Sequence, residues 1–153
     1  MVREFAQIVG IVLIVFGIVG LALGEQHLAG LVNVDLGADL LHLITGVLLA
    51  WVGFGPRAAG LSRQAVGGTG FLYLVVGALG FVAPTFFGLV PAGFTTADNL
   101  AHLAVGALAL AAVWLAARRL TAQTVGGLRP GGPPRTERGP LGGTALRQIA
   151  LGS

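Results

Sequence analysis

The sequence predicts an all-α, polytopic membrane protein of four transmembrane helices, paired as two hairpins of a parallel repeat. Three observations carry that expectation: the composition, four long apolar runs, and a self-match at a shift of sixty residues. Of the 153 residues, 55% are hydrophobic and 10% charged, and the mean hydropathy is +0.88. A soluble domain carries roughly a quarter charged residues, so the surplus apolar surface here calls for lipid as its solvent. There is no cysteine, which removes disulfides, thiolate metal sites and cysteine nucleophiles. All nine basic residues are arginine, so the positive charge persists at any physiological pH.

A bilayer core of ~30 Å is crossed by ~20 mostly apolar helical residues. Four segments meet that length: about Phe5 to Leu23, Leu36 to Phe54, Val66 to Ala83, and Asp98 to Ala117. None shows the alternating polarity of barrel strands. Arg3 ahead of the first run resembles the start of a signal peptide. The run exceeds a usual signal core, however, and reads as an uncleaved anchor. Arg3, Arg57, Arg63, Arg118 and Arg119 all fall on one side of the spans, while the other side holds Glu25, His27, Asp35 and Asp98. The positive-inside rule then places both termini in the cytoplasm of a bacterial inner-membrane protein.

The repeat aligns residues 1–60 with 61–120 without a gap. Gly10, Gly17 and Gly20 meet Gly70, Gly77 and Gly80, and His42, Leu43 and Gly46 meet His102, Leu103 and Gly106; Asp39 falls on Asn99. Each half inserts with the same orientation, which makes the repeat parallel. Lipid gives helices no hydrophobic reason to associate, so close packing through small residues has to do it. The glycines are therefore expected to form packing faces, on which helices one and three contact other helices. Beyond about Thr121 the chain turns to Gly, Pro, Thr and Arg, the makeup of a disordered cytoplasmic tail over 121–153. Arg129, Arg135, Arg138 and Arg147 there, with Arg118 and Arg119, would be drawn to anionic lipid headgroups. The basic residues are too few, and too free of interleaved aromatics, for nucleic acid. The outer loop from Pro84 to Ala97 is apolar and aromatic, suited to the membrane interface or to a partner subunit.

Chemistry concentrates in Asp39-Leu-Leu-His42 and Asp98-Asn99-Leu-Ala-His102. Three- and four-residue spacing puts each histidine on the helix face of its acid or amide. One reading is structural: Asp39, Asp98 and Asn99 cap helix starts, and each histidine bonds a local group. Another makes His42 and His102 ligands of a haem, although the outer side offers no cation for its propionates. A chlorophyll-type pigment avoids that objection, with Ala38 leaving room beside the ring. A cation among Asp35, Asp39, Asp98 and a histidine is a further alternative.

The stretch Phe94-Thr-Thr-Ala-Asp98-Asn99-Leu-Ala-His102-Leu-Ala-Val-Gly106, with His42 and Gly46 earlier, resembles the signature of a family of small four-helix bacterial membrane proteins. These are common in actinobacteria and are known as a domain of unknown function. The resemblance covers approximately residues 5 to 117 and implies the fold and the membrane location, but no activity. The residues offer no Ser-His-Asp set, no phosphate-cradling loop and no charged midplane pathway. An enzyme and a transporter therefore fall behind two other readings. One is a non-catalytic structural or accessory subunit without a cofactor, packed against partner helices in a larger complex. The other is a bundle in which His42 and His102 hold a pigment or haem.

Overall fold

The computed structural model describes residues 1–24, 26–28 and 32–127. Four helices dominate: α1 (Val2–Leu23), α2 (Leu36–Phe54), α3 (Ser62–Gly80) and α4 (Thr96–Gly127). They form two hairpins, α1 with α2 and α3 with α4. Three of the helices, α1, α2 and α4, are long and apolar enough to span a membrane. The fourth expected span, α3, has the length at 19 residues but carries Ser62, Arg63, Gln64 and Thr69 among its glycines, which dilutes its apolar character. Met1–Thr121 forms one compact unit; of the second, Ala122–Ser153, only the end of α4 is described.

One expected boundary shifts, and one connection takes a form that the sequence did not suggest. Helix α4 continues to Gly127, past the point where the tail was expected to begin, because Leu120 through Val125 contain nothing that stops a helix. The tail reading itself, with Arg129, Arg135, Arg138 and Arg147, lies outside the described residues. Between α1 and α2 the chain forms a small antiparallel ribbon, β1 (Gln26–Leu28) with β2 (Val32–Val34), which pairs His27 with Asn33. Three-residue strands give too little alternation to be read from sequence.

The glycines explain how each hairpin closes. A methyl group on Gly10 would sit 2.6 Å from the backbone nitrogen of Ala50 and 3.0 Å from the carbonyl of Gly46. On Gly46 it would sit 2.8 Å from the nitrogen of Ile14. The second hairpin repeats this: Gly106 would press to 2.7 Å on the carbonyl of Gly70 and 2.8 Å on the nitrogen of Leu74. Gly17 faces the Asp39 carbonyl and Leu43, just as Gly77 faces the Asn99 carbonyl and Leu103. At the outer end, a side chain on Gly20 would land on the Asp39 carboxylate, and one on Gly80 on the Asn99 amide. What the glycine faces of α1 and α3 meet is therefore the other helix of the same hairpin.

Side chains tie the remaining ends. Arg3 Nε and Gln7 Nε2 both donate to the Gly53 carbonyl, at 2.7 and 2.8 Å, and so satisfy the C-terminus of α2. The Ser62 hydroxyl donates to the Val52 carbonyl at 3.0 Å, which fixes the start of α3 to α2. The core of all four helices gathers Ala6, Leu49, Val52, Val66, Tyr73 and Ala109. Outside it, Ile8, Ile44, Phe71 and Leu108 are each more than 60% exposed, an apolar jacket consistent with lipid contact.

Replacing Gly46 or Gly106 by valine should destabilise the bundle by about 1–3 kcal/mol, the usual range for overpacking. Gly68, which has open space around it, should accept alanine at no cost. Thermal unfolding in one detergent reads both, and equal losses at the two classes of glycine would contradict the packing argument.

Candidate functional site

The ends of the helices near Asp39 and Asp98 line a half-open cavity of about 420 Å³. Its walls come from α1 (Val12, Phe16, Val19), α2 (Ala38, Asp39, His42), α3 (Tyr73) and α4 (Ala101, His102, Val105), with Val34 and Phe94 at its outer end. It is lined by apolar and aromatic groups with a few polar ones, the usual makeup of a small-molecule site.

The start of α4 is built by a reciprocal cap. Thr95 precedes the helix, and its hydroxyl accepts from the Asp98 amide at 3.1 Å. The Asp98 carboxylate reaches back to the Thr95 amide at 2.9 Å and to its hydroxyl at 2.8 Å. Two backbone N–H groups that a helix start leaves over are thereby satisfied. In α2 the cap is Asp35, whose carboxylate accepts from Gly37 at 2.9 Å and from the loop amide of Ala92 at 3.3 Å. Asp39 does not cap its helix, since Asp35 already holds that position. It is buried instead, its carboxylate against the bare Cα of Gly20. Asn99, also buried, occupies the matching place beside Gly80, and its Oδ1 has no hydrogen-bond partner. With Asp35 and Asp98 engaged in caps, no group of three or more acidic or histidine side chains able to hold a metal assembles among the described residues.

The two histidines, sixty residues apart in sequence, come together. Their rings lie nearly parallel, 8° apart in plane and 5.6 Å between centroids. His102 is only 4% exposed, and its Nδ1 lies 2.6 Å from the backbone carbonyl of Asp98. A carbonyl can only accept, so Nδ1 carries the proton. In the neutral ring Nε2 is then a bare acceptor, and it is buried without a partner. The rings of His42, Tyr73 and Phe94 surround His102, with centroids 5.6, 5.2 and 5.1 Å away. His42 is half-buried on the cavity wall and touches Phe16, Tyr73 and His102 through ring contacts alone. Gripping a tetrapyrrole between the two histidines would require these stacked rings to part.

Two site residues escaped the sequence reading. Tyr73, 1% exposed, shares a hydrogen bond of 2.9 Å with the Thr45 hydroxyl, and Thr45 donates to the Leu41 carbonyl at 2.6 Å. With the Thr45 proton used on Leu41, Tyr73 is the donor to Thr45. The repeat held a signal for them. Tyr73 aligns with Leu13, Phe94 with Val34, Asp98 with Ala38, and Thr45 with Val105. The cavity is thus lined by repeat-related positions that the two halves fill with different chemistry.

No family model, curated protein or solved structure matches the chain. Fold and composition make it a small helical membrane protein.

Tyr73→Phe should cost about 1 kcal/mol, because Thr45 keeps its bond to Leu41. Thr45→Val should cost more, about 1–3 kcal/mol, because it strands the buried Tyr73 hydroxyl. Adding Tyr73→Phe to Thr45→Val should recover part of that loss. Unfolding midpoints of the three variants measure it, and equal single-variant losses would contradict the assigned donor direction.

Proposed function

We propose that this protein is a non-catalytic, ligand-binding bundle of the bacterial inner membrane, which holds a lipid-soluble small molecule in its outer-half cavity. The observation that carries this reading is the buried, unpartnered Nε2 of His102, a residue that lines that cavity. Buried acceptors are nearly always satisfied, and leaving one bare costs about 1–3 kcal/mol. A cost of that size at a cavity wall is what a ligand contact would relieve. The Thr45 and Tyr73 hydroxyls are engaged with each other and with Leu41, so neither stands against a histidine as a nucleophile would. A parallel four-span topology with cytoplasmic termini is supported by the one-sided arginines. Arg118 at that end lies 3.7 Å over the Trp114 ring, an arrangement suited to the headgroup region. Membership of the small four-helix family named above rests on the Asp98-Asn99-x-x-His102-x-x-x-Gly106 pattern.

An accessory role in a larger complex is the second reading. Phe87 on the outer loop is 96% exposed, with Val82 at 83% and Leu89 at 75%. That apolar surface suits a partner subunit or the membrane interface, whereas the glycine faces do not.

Polymer extraction of the full chain in native lipid, followed by mass spectrometry of the organic phase, tests the ligand reading. One lipophilic species should be enriched to about one per chain. Ala101→Phe, on an exposed position of the cavity wall, should deplete it several-fold while leaving the helical spectrum unchanged. A lipid profile identical to that of an unrelated four-helix protein extracted in the same way sinks the proposal.

A further inference from the structure

Resting on the reading of the cavity as a binding site, the geometry points to the class of its occupant: a neutral, hydroxyl-bearing planar ring on an apolar tail. Hydrogen-bonding balance decides the head. Nε2 of His102 is an acceptor alone, because Nδ1 has its proton on the Asp98 carbonyl. The Asp39 carboxylate, also on the wall, adds acceptor oxygens. The one phenol there, Tyr73, already gives its proton to Thr45. The His42 ring offers one N–H and one bare nitrogen, so acceptors still outnumber free donors, and a complementary ligand brings the donor. A hydroxyl does so at little desolvation cost compared with a charged head in an apolar cavity.

Ring shape follows from the walls. Phe16, His42, Tyr73, Phe94 and His102 form a chain of ring contacts between 5.1 and 6.3 Å. Aromatic walls of this kind favour a flat guest by offset or edge contact. His102 Nε2 is shielded by its neighbours, and among these His42 is anchored by no hydrogen bond. Half-buried where Tyr73 and Phe94 are buried, its ring is the freest to turn aside and admit a hydroxyl. The tail would follow the apolar side of the cavity along α1 and α4, where Val12, Val19 and Ala101 are exposed toward the surrounding lipid.

The test uses the full chain in nanodiscs and four probes: decylhydroquinone, its dimethyl ether, decylbenzene and decylamine. Calorimetric titration should show decylhydroquinone binding about tenfold more tightly than its ether, the worth of one buried hydrogen bond. Nitrogen NMR should show the His102 Nε2 resonance moving on addition of the hydroquinone and not of the ether. His102→Phe keeps a ring and removes the acceptor, and should bring hydroquinone and ether to equal affinity. Should that variant fail to fold, the probe comparison and the Nε2 shift on the native chain decide alone. Equal binding of hydroquinone, ether and decylbenzene overturns the donor inference while leaving the cavity reading intact. Tighter binding of decylamine overturns it in favour of a cationic head. Binding of none of the four, with no co-extracted lipophilic species, removes the cavity reading as well.

Discussion

Backbone-to-backbone contact at glycine is the interaction on which the rest of this molecule depends. In lipid an apolar side chain gains nothing by exchanging a hydrocarbon neighbour for another helix. What remains is the dispersion attraction of atoms brought very near, which falls away steeply with any gap. Gly10 against Gly46, and Gly70 against Gly106, let main chains touch where a single methyl group would force them apart. Each hairpin is therefore closed by the absence of side chains on one stripe, and its bulky residues are turned outward or into the shared core.

That closure also sets the site. With Gly20 and Gly80 bare, the polar residues Asp39 and Asn99 can lie flat between the helices of their own hairpins near the outer end. One turn further in, His42 and His102 project from the two hairpins toward each other and stack. The repeat thus brings two imidazoles together, and the differences between the halves decide what they face. Tyr73 in place of a second Leu13, and Phe94 in place of a second Val34, make one side of the cavity aromatic and hydrogen-bonding. The first hairpin faces them with Val12, Val19 and Val34 beside Phe16, Asp39 and His42.

Much of the architecture was legible before any coordinates. The apolar runs located α1 and α2 closely, because a span has a length dictated by the bilayer. The sixty-residue match anticipated which glycines and histidines correspond. Legibility failed where the outcome depended on competition. Asp35 and Asp39 are both acids near a helix start, and only the path of the chain decides which one caps. Tyr73 carried no sign of its role in the linear pattern, because its partner, Thr45, lies on another helix. The glycine stripes were visible, but not whether they would meet their own hairpin or a foreign helix.

By itself, the sequence determined the apolar character, the helical content, the repeat and the clustering of arginines in alternate connections. All of these follow from composition and local spacing, properties that survive without any knowledge of contacts. Tertiary structure alone decided that the glycines close each hairpin internally and that α3, through Val66 and Tyr73, lies in the common core. It also decided that His102, a residue of the cavity wall, holds a buried acceptor without a partner. The reason is physical: a hydrogen bond or a close approach is a relation between two elements, and a linear pattern records only one side of it at a time.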